Sequence, residues 1–82
     1  MNNFWSVTFQ SQDSSITFST VCYLTQKFSD LVEKLLKENE ELKNNQLIFL
    51  YGGKLMDLDK TLEENRIKNG GIIIISKRDK NN

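Results

Sequence analysis

From Trp5 onward the chain alternates large apolar with polar residues, a period-two pattern that predicts a half-buried strand over residues 4–10 with Trp5, Val7 and Phe9 turned inward. Residues 11–15 are small and polar enough to turn, and residues 16–20 resume the alternation, so the pair reads as a β-hairpin. Residues 21–24 read as the approach to a helix. From about Thr25 the apolar positions Phe28, Leu31, Val32, Leu35 and Leu36 recur at intervals of three and four, which sets them on one face of an amphipathic helix. Glu33, Lys34, Lys37, Glu38 and Glu40 take the other face. Thr25 is the expected N-cap, and Asn44-Asn45 the expected break.

Beyond the helix, Leu47–Tyr51 reads as a strand, Gly52-Gly53 as a turn, residues 54–56 as a short extended segment, and Asp57 and Asp59 as part of a loop. Residues 61–65 suggest a single helical turn. Asn69-Gly70-Gly71 turns the chain into four consecutive isoleucines, Ile72 to Ile75. The tail from Lys77 has no apolar anchor and is expected to fray. Hairpin, helix, strand, turn and strand in that order ask for one mixed sheet with a helix across one face, a two-layer α+β sandwich. At 82 residues there is room for one core, taken to span residues 4–77 with a flexible polar tail over 78–82.

Composition narrows the chemistry. Eleven Lys and Arg balance eleven Asp and Glu, so no net field draws the chain toward nucleic acid or anionic lipid, and the short cluster Lys77, Arg78 and Lys80 is too small to bind nucleic acid firmly. No apolar run approaches a membrane span and no basic leader precedes one, so membrane insertion is not expected. One cysteine, Cys22, excludes an internal disulfide, and with no histidine and no base beside it in sequence it reads as a packed bystander. No catalytic, cofactor-binding or metal-binding residues are assigned: Asp57 and Asp59 lack the further ligands of a calcium loop, and both glycine pairs lack the context of a phosphate loop. An intracellular setting is expected, with cytoplasm, nucleus and organelle matrix all open, and no small-molecule substrate.

Residues 47–76 resemble the second half of the ubiquitin family. The shared features are an apolar strand with Phe49, a Gly53-Lys54 turn, Asp57 ahead of Thr61-Leu62, and Asn65 and Ile67 ahead of an apolar last strand. The first half resembles the family in pattern, with Phe28, Leu31 and Leu35 at helix positions that face the sheet. The resemblance implies a ubiquitin-like β-grasp with a mixed four- to five-stranded sheet, and a role in binding other proteins. Two departures shape the expectation. Conjugated members end in a free Gly-Gly tail, whereas this sequence ends Lys77-Arg78-Asp79-Lys80-Asn81-Asn82, and Gly70-Gly71 precedes a strand, so the resemblance is to the non-conjugated type. The first hairpin tip carries Gln12-Asp13-Ser14 where ubiquitin has an exposed leucine, which implies weak binding by ubiquitin's own readers.

Side chains alternate across a strand, so four isoleucines in a row put two on each face whatever the register. By the resemblance, Phe49, Ile73 and Ile75 meet the helix, and Ile48, Leu50, Ile72 and Ile74 lie opposite, with Gly53 and Lys54 at the rim. These six form the expected protein-binding site. Burying four such side chains would contribute about 6 to 12 kcal/mol gross, before association entropy is subtracted. An adaptor that docks transiently and a structural subunit held in a large assembly both fit this surface. A conjugated modifier fits less well, and an enzyme least.

Overall fold

The alternating N-terminal segment becomes β1, Phe4–Ser11, and turns back antiparallel into β2, Thr17–Tyr23. The computed structural model describes residues 4–78. A helix, α1, spans Phe28–Glu38, and a 3₁₀ turn at Glu40–Asn44 leads into β3, Leu47–Tyr51. A two-residue β4, Lys54–Leu55, and the last strand β5, Gly71–Lys77, complete a five-stranded sheet in the order β2-β1-β5-β3-β4. β1 and β5 run parallel, and every other pairing is antiparallel. Among the described residues this is the expected ubiquitin-like architecture, a mixed sheet with one helix across it.

The period of the helix places Phe28, Leu31, Val32 and Leu35 in the core, against Val7 and Phe9 of β1, Phe49 of β3, and Ile73 and Ile75 of β5. Three rings tie the layers together: Phe9, Phe28 and Phe49 stand 5.6–5.8 Å apart by centroid, tilted or edge-on, the arrangement aromatic quadrupoles favour. No buried side-chain nitrogen or oxygen lacks a partner among the described residues. Interior stability is therefore apolar packing, undiluted by desolvated polar groups.

Three local expectations are corrected, and the helical turn expected at residues 61–65 is met. Residues 21–23 belong to β2, because the pairing with β1 continues to Phe4↔Tyr23. The helix starts at Phe28, with Lys27 rather than Thr25 at the N-cap and no side-chain cap. Its first amides are satisfied tertiarily instead: Phe28 N–H donates to Lys60 O at 2.9 Å and Ser29 N–H to Leu58 O at 3.0 Å. A side-chain cap is redundant where a loop supplies the carbonyls. Residues 61–65 form one α-type turn closed by Asn65 N–H to Thr61 O, with Thr61 and Glu64 capping each other's amides at 2.9 and 3.0 Å. Lys77 does not fray. It pairs with Leu47, and the next amide, Arg78 N–H, donates to Gln46 O at 2.7 Å. The rest of the expected tail, residues 79–82, lies outside the described residues.

The loop from β4 to β5 is long and carries no regular strand, yet it is well anchored. Asn65 is its clasp: its side-chain oxygen accepts from Asp57 N–H at 2.9 Å, and its amide nitrogen donates to Asp57 O at 2.9 Å and Thr61 O at 3.1 Å. Leu62 and Ile67 drop into the core on either side. The loop is thereby fixed against both α1 and the sheet.

Candidate protein-binding face

With Phe49, Ile73 and Ile75 turned to the helix, the pleat sends their neighbours the other way. Register then decides which outward residues meet. Gln10 pairs with Ile74, Ile74 with Leu50, and Leu50 with Leu55, so one cross-strand row runs through β1, β5, β3 and β4. Parallel to it, Thr8 pairs with Ile72 on one side, and Ile48 with Ser76 on the other. The structure thus brings Ile48, Leu50, Ile72 and Ile74 together on the face opposite the helix, with Leu50 and Ile74 directly opposed at its centre. Ile72 is 52% exposed and Leu55 62% exposed, while Ile48, Leu50 and Ile74 shelter one another and are half-buried.

The two rim residues behave differently from each other. Gly52 and Gly53 take φ of +59° and +81°, the left-handed pair of a tight two-residue hairpin, and a Cβ at either would be strained although space around both is open. Gly53 is there for the turn, and the turn places β4 beside β3. Lys54 pairs with Tyr51, whose ring packs against the core, so in the alternation of β4 it is Leu55 that continues the apolar row. By the same alternation Lys54, expected at the rim, turns to the Tyr51 side of the sheet, beside Lys60 and Glu64. Leu55 was missed because a single leucine in a two-residue strand carries no period of its own.

The other half of the same face is chemically different. On β1 and β2 the outward positions Ser6, Thr8, Gln10, Thr17 and Ser19 are polar, and Thr8 and Ser19 hydroxyls hydrogen-bond at 2.8 Å. At its far corner Phe4, Val21 and Tyr23 are exposed, the Phe4 and Tyr23 rings edge-on at 6.0 Å.

Titratable groups offer little chemistry. Cys22 is buried, its sulfur 3.4 Å from Trp5 O, and burial pushes the thiol up, away from the reactive thiolate. Asp13 at the hairpin tip accepts from the Ser15 hydroxyl at 2.7 Å, Ser15 N–H at 3.0 Å and the Ser11 hydroxyl at 2.9 Å, which lowers its pKa to about 2. That network orders a turn. Gly70-Gly71 is built into the sheet: Gly70 N–H donates to Ser6 O at 2.7 Å, and Gly71 opens β5, where a Cβ would come 2.8 Å from Tyr51 Cε1.

Among the described residues no cluster of metal-ligating side chains occurs, and no helix is long and apolar enough to cross a membrane.

The family model for Ubiquitin-2 like Rad60 SUMO-like domains matches residues 6–75. A de novo designed protein based on ubiquitin superposes with a TM-score of 0.79 over 96% of this chain and 94% of that one, at 20% identity, a likeness of fold. Comparison with curated protein sequences gives no match.

Proposed function

The chain belongs to the Ubiquitin-2 like Rad60 SUMO-like family, and from that premise we propose that it is a non-catalytic interaction module which docks on protein partners through the Leu50–Ile74 face. The observation that carries this reading is the cross-strand row Ile74–Leu50–Leu55, flanked by Ile72 and Ile48, a contiguous apolar surface on the side of the sheet that no element of the described chain covers. Monomeric proteins seldom keep such a surface in water, and its apolar centre bordered by Gln10, Thr8 and Ser76 has the composition of an interface core with a polar rim. Gly53 contributes by holding β4, and with it Leu55, against β3.

An obligate subunit of a large assembly is the second reading. It draws support from Ile72 and Leu55, each more than half exposed, since permanent cover would remove that area from water continuously. Conjugation through Gly70-Gly71 is disfavoured, because cleavage there would strip out β5 between β1 and β3.

Leu50→Asp and Ile74→Asp test the surface. Each is expected to abolish partner capture while leaving the circular dichroism spectrum and the thermal transition of the isolated chain near those of the parent; capture that survives both substitutions would overturn the reading. Native size separates the two versions, with elution in one large assembly at fixed stoichiometry favouring the obligate subunit and elution near 9.6 kDa the transient adaptor.

A further inference from the structure

β4 covers only part of β3. Its two residues pair with Leu50 and Tyr51, and one further bond, Met56 N–H to Phe49 O at 2.8 Å, ends the contact before the chain leaves for the 57–59 loop. Along a strand, alternate residues turn both backbone groups to the same side, so Leu47, two before Phe49, directs its N–H and C=O to the edge that β4 has vacated. The ladder with β5 agrees. Arg78 N–H reaches Gln46 O, which leaves Leu47 at a position that does not bond to β5. Among the described residues no backbone group meets Leu47 at that edge.

A groove runs along this open stretch, walled by Leu47 and Ile48 of β3 on one side and by Leu55, Met56 and Leu58 on the other. Leu58 is 41% exposed although its carbonyl is committed to the start of α1, so the loop is fixed while its apolar side chain is left in water. The charged residues lining the groove are Asp57 and Asp59, both acids, with no cation in the lining. An open strand edge, apolar walls and a one-signed acidic rim specify complementary features in whatever fills them.

We infer that the β3 edge between Leu47 and Leu58 is a second docking site, which takes an extended segment of another protein, added as a short strand, with apolar residues flanked by Lys or Arg. Backbone pairing at Leu47 and the Phe49 amide supplies register, the leucine walls take alternate side chains, and Asp57 and Asp59 hold the flanking cations. This goes beyond the Leu50–Ile74 face: the groove opens at the sheet's edge, shares only Ile48 and Leu55 with that face, and can be lost independently of it.

The test is a titration of the isotope-labelled full chain, followed by amide NMR, with the blocked peptide Lys-Arg-Val-Ile-Val-Leu-Lys-Arg and with a counterpart in which every Lys and Arg is Glu. The basic peptide is expected to shift the Leu47, Phe49 and 57–59 amides and to slow hydrogen exchange at Leu47, while the acidic one leaves them unmoved. Asp59→Lys, whose exposed carboxylate supports no hydrogen bond of the loop, is expected to weaken the basic peptide about 5- to 10-fold. Equal response to both peptides, or shifts confined to Ile72 and Ile74, would overturn the site. Two controls bear on other occupants: Leu47 exchange that speeds up on truncation after Arg78 would assign the groove to the chain's own last residues, and concentration-dependent shifts without peptide would assign it to a second copy. Either would overturn the proposal. Leu50→Asp is expected to leave the peptide's affinity within about 2-fold, so loss of one site is told apart from loss of the other.

Discussion

The outward face of the sheet has two halves laid over one continuous core. Through the middle of β1 and β2 the outward positions are hydroxyls and amides that satisfy each other or water, as Thr8 and Ser19 do, and apolar side chains are exposed only at the far corner, at Phe4, Val21 and Tyr23. Across β5, β3 and β4 the outward positions are isoleucine and leucine. The buried sides of both halves are equally apolar, with Val7 and Phe9 under one and Phe49, Ile73 and Ile75 under the other. Folding needs only the buried sides. The apolar outward half is thus surplus to the fold, and the contrast within one sheet points to association more strongly than the apolar content of β5 alone.

The largest expected effect treats both halves alike. Phe9→Ala removes the ring that meets Phe18, Phe28 and Phe49, and is expected to lower unfolding free energy by about 3–5 kcal/mol, read from urea denaturation, with amide shifts spreading across both halves. Next comes the comparison itself: Leu50→Asp on the apolar half is expected to weaken partner binding by about 2 kcal/mol or more, and Ser19→Asp on the polar half to leave it within about 0.5 kcal/mol, by calorimetric titration. Equal losses would erase the distinction between the halves. Gly71→Ala probes the seam where β5 begins: the 2.8 Å approach to Tyr51 forces that ring to shift, at a cost of about 1–3 kcal/mol seen as a lower thermal midpoint. Smallest is the acid limit of the polar half. Asp13 has a folded pKa of about 2 against an ordinary 3.8, so its contribution is present above pH 3.8 and is lost as pH falls through about 2. Asp13→Asn is expected to flatten the stability profile in that window alone.

Legibility in the sequence followed the strength of each period. The helix face, the first hairpin and the inward set Phe49, Ile73 and Ile75 could be read because period 3.6 or 2 runs over enough residues to be distinctive. Helix start and strand ends could not be read so well. Phe28 and Ser29 are fixed by the carbonyls of Lys60 and Leu58, about thirty positions away, and β2 runs on to Tyr23 because Phe4 is there to pair with it. Leu42, buried in the 3₁₀ turn, stands between charged and amide residues with no periodic company. As for the candidate face, the outward placement of Ile48, Leu50, Ile72 and Ile74 follows from alternation once the inward set is known. Leu55 and Leu58 enter only with the pairing of β4 and the path of its loop, which are tertiary facts. The open edge at Leu47 is a gap between strands, and a gap has no residue code.

Among the described residues β5 is the last element in sequence and the middle one in the sheet. Synthesis proceeds from the other end, so a nascent chain that has reached Asn69 carries the residues of the hairpin and those of α1, β3 and β4, and in the finished sheet no backbone ladder joins these two sets directly. Every sheet contact between those two pieces runs through the seven residues of β5, which are made after both. The same arrangement makes the sheet a two-part lock: in the folded molecule the strands that precede Gly70 leave a slot one strand wide between β1 and β3, and β5 with its four isoleucines is the key that closes it.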